Sequence, residues 1–243
     1  MCSRPAERTL GEVMCHRGDM TSAADTLSSL LDTRFSCRAF LTKQVPREDI
    51  ERMLQMGQRT ASWCNSQPWH VHIVSGDATN RLRDAVYAQA TSGNMDPDIP
   101  GPAEYRGAYA ERRRGAGYAL YNALGIARDD YQRRTEQMLE NYRFFGAPHV
   151  AIITSDKALG VYGAVDCGGY VSTLLLAAES LGIAAVPQAA VAMTATALRR
   201  ELNIGDDRDI VCAISFGYAD EAHPANACRT NRASLDETVE WVD

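Results

Sequence analysis

Between residues 148 and 182 the chain reads PHVAIITS (148–155) and then, after a short polar-to-small interval, DCGGYVSTLLLAAESLG (166–182). The β-branched apolar run of the first piece predicts a buried strand. The second is too long for a strand, is apolar almost throughout and ends at Gly182, which predicts a buried helix with a glycine C-cap. Working outward, Ile183–Val186 reads as a further strand, PQAA as a turn, ALRRELNI as a helix and DIVCAISFGY as another strand, before a basic tail, HPANACRTNRASLDETVEWV. Upstream, HVHIVSG predicts a strand entered from a polar loop, TASWCNSQPW. A helix ends near Asp32, a second opens at Pro46 and runs to about Gln58, and a third covers 78–90. GNMDPDIPGP predicts an exposed connector, and a charged helical stretch from Glu104 to Arg143 breaks near Gly125. Helices outnumber strands and no repeat or linker intervenes. The expectation is one α+β domain over residues 25–243, behind a mobile leader over residues 1–24.

At 243 residues, 45% apolar and 23% charged, the chain is an ordinary globular one, able to bury roughly 70% of its unfolded surface. Disorder and collagen are excluded. Cys2, Cys15, Cys37, Cys64, Cys167, Cys212 and Cys228 form an odd, scattered set without a CxxC pair, pointing to neither a disulfide framework nor a zinc site and suggesting a reducing cytoplasm. The first twenty residues lack the apolar run of a secretory signal. The most apolar stretch, Val171–Met193, is interrupted by Glu179, Gly182 and Pro187, so no membrane span is expected. A net charge of −6 argues against nucleic acid as a partner, since that affinity needs a basic surface.

GxSxG, P-loop, HExxH and GxGxxG signatures are all missing. His70 and His72 alternate on one strand face but have no third ligand nearby in sequence, so no metal is expected. Cys64 lies in the polar loop without a definable histidine partner, which leaves it weakly supported as a nucleophile. Arg112, Arg113 and Arg114 read first as a solvated face and second as partners for an acidic substrate. The residues that stand out are Arg34, Ser36 and Arg38, with Arg229 and Arg232 far along the chain. In extended backbone, Arg-x-Ser-x-Arg projects two guanidinium forks and a hydroxyl to one side, a set suited to a phosphate and its attached polyol.

TRFSCRAF (33–40), PREDIERML (46–54), ASWCNSQPWHVHIVSG (61–76), EYRGAYAERRRGAGYALYNALGIARDD (104–130), NYRFFGAPHVAIIT (141–154), VPQAA (186–190) and HPANACRTNRASLDE (223–237) stand in an order and spacing that resembles the FMN-dependent nitroreductase family, in its nitrobenzoate-reductase-like branch, over about residues 26–243. The resemblance implies a central, mostly antiparallel sheet flanked by helices, a homodimer, FMN as cofactor and NADH or NADPH as electron donor. It implies ping-pong reduction of a small nitroaromatic or quinone-like acceptor, with the hydride carried by flavin N5 and no catalytic side chain. By the same likeness Arg34, Arg229 and Arg232 surround the FMN phosphate, with Phe35 beside them. Ser36 and Arg38 meet the ribityl chain and pyrimidine edge, where a fixed guanidinium would stabilise the reduced ring. Ser62, Trp63, Cys64 and Asn65 border the isoalloxazine, unless Trp63 simply packs. Asn141 contacts the pyrimidine portion or caps a helix. The backbone of Pro187, Gln188, Ala189 and Ala190 lies against N5 and O4. Ser172 departs from a glutamine common in the family and could bond within its own helix. Reductive dehalogenation, consumption of the flavin itself, and non-catalytic flavin binding are the alternatives on the same scaffold.

Overall fold

The computed structural model describes residues 22–243. Its elements are α1 (Ala23–Thr33), α2 (Arg47–Gly57), β1 (His70–Ser75), α3 (Asp77–Ser92), α4 (Gly107–Ala123), α5 (Tyr131–Leu139), β2 (His149–Asp156), α6 (Gly160–Ser180), β3 (Ala184–Gln188), α7 (Ala189–Ala192), α8 (Ala195–Leu202) and β4 (Arg208–Gly217). All but the end of the expected leader lies outside the described residues. Ser22 caps α1, closing a reciprocal box with Asp25, so Ser22, Ala23 and Ala24 belong to the helix.

The strands form one antiparallel sheet in the order β1-β2-β4-β3, flanked by helices as the resemblance implied. Along β2, Val150 and Ile152 join Val86, Phe144 and Leu198 on one face, while Ala151 and Ile153 join Met53, Tyr170, Leu174 and Phe216 on the other. With helices on both sides neither face of β2 is left to solvent, which is why β2 reads as an unbroken apolar run rather than an alternation. Each such large side chain contributes about 1.5–3 kcal/mol by leaving water.

The expected helix from Asp166 begins already at Gly160. Its first turns hid from the periodicity because Val161, Tyr162 and Val165 face outward. Gly163 permits a close crossing: a Cβ there would lie 2.5 Å from Ser155 Oγ. The helix stops as expected, with Gly182 at φ 68°. Residues Lys157–Ser180 are long and apolar enough to cross a membrane by length and composition. In the fold they carry the buried Cys167, Tyr170, Leu174 and Ala178. The 93–102 connector is largely exposed, as expected, and it is also clamped to the body of the fold. Asp98 accepts from Arg199 Nη2 and Ile210 N (2.7 and 2.8 Å), and Asp96 accepts from Thr196 N.

His149, at the start of β2, is 2% exposed. Its Nε2 accepts from Val45 N (2.9 Å), so the proton sits on Nδ1, which donates to Ser75 Oγ at 2.7 Å. Ser75 and His149 therefore cannot act as a nucleophile and base pair. Burial pushes the His149 pKa down; burial, then His70 and Arg208, does the same to His72. A histidine held neutral in the fold takes up its proton more readily once unfolded, so stability present above the ordinary value of about 6.5 is lost as pH falls below it. Denaturant midpoints are accordingly expected to be lower at pH 5.5 than at pH 7.5, with a shallower difference in His149→Gln. Identical midpoints at the two pH values would contradict this account of the ring.

Candidate functional site

After α1 the chain becomes extended and runs beside β3. Ser36 bridges Ala185 in parallel and Cys37 N donates to Ala185 O at 3.2 Å. Cys37 is buried, while Ser36 and Arg38 on either side of it turn the other way and, with Arg34 at the helix end, line an outer cleft. The tail reaches the same place through the short turn Pro224–Ala227. There buried Asn226 accepts from Arg38 N (2.7 Å) and donates to Ala39 O and Asp220 O (both 2.8 Å). This stitch sets Arg229 and Arg232 beside Arg34 and Arg38, although they are some 190 positions apart. The Arg229 guanidinium lies 4.1 Å over the Phe35 ring and donates to the carbonyls of Asn226 and Cys228. The cleft encloses about 360 Å³, with Ser36 and Thr230 among its walls.

Four guanidiniums and one carboxylate, Asp32, line this space. Among the described residues none of the four arginines is in an ion pair. Arg38 bonds only the Ser36 carbonyl, and Arg232 bonds only Thr230 and the Asn231 carbonyl. Burial pulls the Arg38 pKa below its usual value, a cost borne without a protein anion beside it. A partly buried cluster of uncompensated cations with a hydroxyl at its rim fits a dianionic phosphate carrying a polyol. The residues present therefore fit the phosphate and ribityl portion of FMN.

The remaining sequence candidates fall elsewhere in the chain. Ser62–Asn65 form a tight turn in which Cys64, Asn65 and Gln67 have φ of 49°, 58° and 47°. Left-handed backbone at such residues costs about 1–2 kcal/mol each. It is held by Trp63 N donating to Asp166 Oδ2 (3.0 Å) and Gln67 N donating to Ser62 Oγ (2.9 Å). Trp63 remains 58% exposed, tilted against Tyr162 at 4.4 Å. Asn141 donates to Met138 O, capping the end of α5, and its own oxygens accept from Gln188 Nε2. The Gln188 side chain is thus buried between Asn141 and Ser215, which donates to it. Pro187 and Ala189 face outward, and as the first residues of α7, Ala189 and Ala190 offer backbone amides with no acceptor inside the helix. Ser172 donates to Gly168 O within α6, the alternative anticipated for it.

None of Ser62–Asn65, Asn141 or Pro187–Ala189 lines the arginine cleft of this chain. His70 and His72 stack edge to face at 4.8 Å, and among the described residues no three metal-ligating side chains converge. Asn226, Thr230 and Asp166 escaped the sequence reading. Asn226 and Asp166 act on backbone groups brought near by tertiary structure, which leaves no periodicity or motif to find, and Thr230 matters only as a wall of the assembled cleft.

The model described as "Nitroreductase family" matches residues 31–218. The chain is 36% identical to nitroreductase NfnB of Mycolicibacterium smegmatis over 92% of this chain and 96% of that protein. It is 33% identical to 4-nitrobenzoate reductase of Nocardioides sp. over 90% and 91% of the two. Among solved structures, that of the FMN-dependent nitroreductase NfnB from Mycobacterium smegmatis in complex with NADPH superposes with a TM-score of 0.87, at 36% identity, covering 91% of this chain and all of the other.

Proposed function

The chain belongs to the nitroreductase family, and from that membership we propose that it is an FMN-dependent oxidoreductase that takes reducing equivalents from NADH or NADPH and delivers them to nitroaromatic or quinone-like acceptors. The observation that carries this reading is the cleft of four arginines that have no ion-pair partner among the described residues. FMN, when bound, supplies hydride acceptance and donation at N5. The chain's own residues position it. Arg34, Arg229 and Arg232 hold the phosphate, Ser36 the ribityl hydroxyls, and Arg38 the negative charge that reduction places on the pyrimidine edge. Backbone amides at Ala189 and Ala190 and the polar groups of Asn141 serve the ring, and the strained Ser62–Asn65 turn borders it. No side-chain acid or base is required. Planar, electron-poor acceptors are selected by stacking. Steady-state kinetics with varied donor and acceptor test this reading: parallel double-reciprocal lines are expected, and converging lines would overturn the ping-pong order.

The site is completed by a second copy. Val161, Tyr162 and Val165 of α6 are 74%, 55% and 62% exposed, beside the exposed Trp63, an apolar surface that a monomer would leave in water. It adjoins the Ser62–Asn65 turn, which has no share in this chain's own arginine cleft. A homodimer with a cofactor between the copies accounts for both features. Sedimentation of the FMN-loaded protein is expected at twice the 26.6 kDa chain mass, with Val161→Asp/Val165→Asp monomeric and flavin-depleted; a monomer that keeps FMN at micromolar concentration would remove the dimer from the account. The free cysteines among the described residues agree with a cytoplasmic enzyme, and the chain from α1 onward serves as one catalytic domain.

A further inference from the structure

Helix α4 carries no buried residue and has a pocket on each side. On one face Gly115, Ala116 and Ala119 meet Arg229, Thr230 and Asn231, adjoining the arginine cleft. On the opposite face a second space of about 530 Å³ is walled by Tyr105, Arg113, Arg114, Tyr118, Tyr121 and Arg134, without any carboxylate. The guanidinium of Arg113 lies 5.0 Å over Tyr105, and that of Arg134 lies 5.0 Å over Tyr121 and 5.7 Å from Tyr131. Arg134 is fixed further by donating to Arg128 O at 2.9 Å, while its Nε is buried without a partner. Among the described residues Arg113 and Arg114 have no ion-pair partner, unlike neighbouring Arg112, which bonds Glu237.

We propose that this pocket binds the adenosine 2′-phosphate end of NADPH and so makes the enzyme prefer NADPH to NADH. Three guanidiniums carry about fifteen N–H donors, more than a monocarboxylate can use and suited to a phosphomonoester, whose charge near neutral pH is about −1.5 to −2. Tyrosine faces offer stacking for a planar base, and the volume falls within the roughly 300–1,000 Å³ of sites for ligands of that size. The arginine run at 112–114, which reads in sequence first as a solvated face, is in this arrangement divided. Arg112 secures the tail, and Arg113 and Arg114 face the pocket. The inference rests on the NAD(P)H-dependent reading of the chain, but its first test does not require turnover.

Calorimetric titration of the FMN-loaded protein with 2′,5′-ADP is expected to show binding that is at least about tenfold tighter than that of 5′-AMP and is weakened about tenfold or more in Arg113→Gln/Arg114→Gln. Both side chains are exposed, so the variant should fold, as its melting temperature and flavin content would verify. The same variant should raise KM for NADPH about tenfold relative to KM for NADH. Equal affinity for 2′,5′-ADP and 5′-AMP, competition by benzoate with no binding of 2′,5′-ADP, or a variant that changes both KM values in parallel would each overturn the proposal. A wild-type protein that binds 2′,5′-ADP but oxidises neither nucleotide would instead sink the enzymatic reading while leaving this pocket's ligand standing.

Discussion

Arg34→Ala should weaken FMN binding by about 2–4 kcal/mol, roughly 30- to 700-fold in dissociation constant, with little change in the stability of the apoprotein. Arg34 ends α1 with its backbone N–H bonded to Leu30 O, a bond that alanine keeps. Its guanidinium lines the cleft and is in no ion pair among the described residues. What the substitution removes is one charged partner of a dianion, and what it leaves is a phosphate short of compensation in a partly enclosed space. Titration of flavin-free protein with FMN, followed by flavin fluorescence, reads the effect. An unchanged affinity would mean that the cleft does not hold the phosphate.

Asn226→Leu should fail in the opposite way, by damaging the frame first. Leucine is close to asparagine in size, but Arg38 N–H, Ala39 C=O and Asp220 C=O each lose their partner at a position 5% exposed. At about 1 kcal/mol or more for each bond, the loss comes to about 3 kcal/mol or more, or a fall of roughly 6–12 °C in melting temperature for a chain of this size. Flavin retention should fall as well, because two of these bonds, to Arg38 N–H and Ala39 C=O, hold the segment bearing Arg34 and Arg38 against the tail bearing Arg229 and Arg232. A melting temperature lowered by less than about 2 °C would show that the stitch is not under load.

Much of this arrangement was legible in the sequence. PHVAIITS and the apolar helix after it are buried on all sides, so their hydrophobicity alone marked the sheet and its principal helix. Gly125 and Gly182, with φ of 62° and 68°, ended helices where the pattern required. The start of α6 was not legible, because its first turns expose Val161 and Val165 to a surface outside the chain's own core. Nor was the clamp on the 93–102 connector, since proline and glycine announce a turn but do not reveal that Asp98 finds Arg199 about a hundred positions on. The arginines were visible as residue types. Their convergence depends on Asn226, an unremarkable residue in sequence whose importance comes only from the three backbone groups packed around it. Gln188 belongs to the same class: its side chain serves Asn141 and Ser215 in the interior, while the backbone beyond it is left to the site.

The most direct test is an absorbance spectrum of the purified, FMN-loaded protein, taken anaerobically before and after NADPH or NADH and again after a nitroaromatic acceptor. Flavin bands that bleach with nucleotide and return with acceptor are the expected result. Protein that takes up no FMN, or bound flavin whose bands persist with both nucleotides, would contradict the assignment of this chain as an FMN-dependent oxidoreductase.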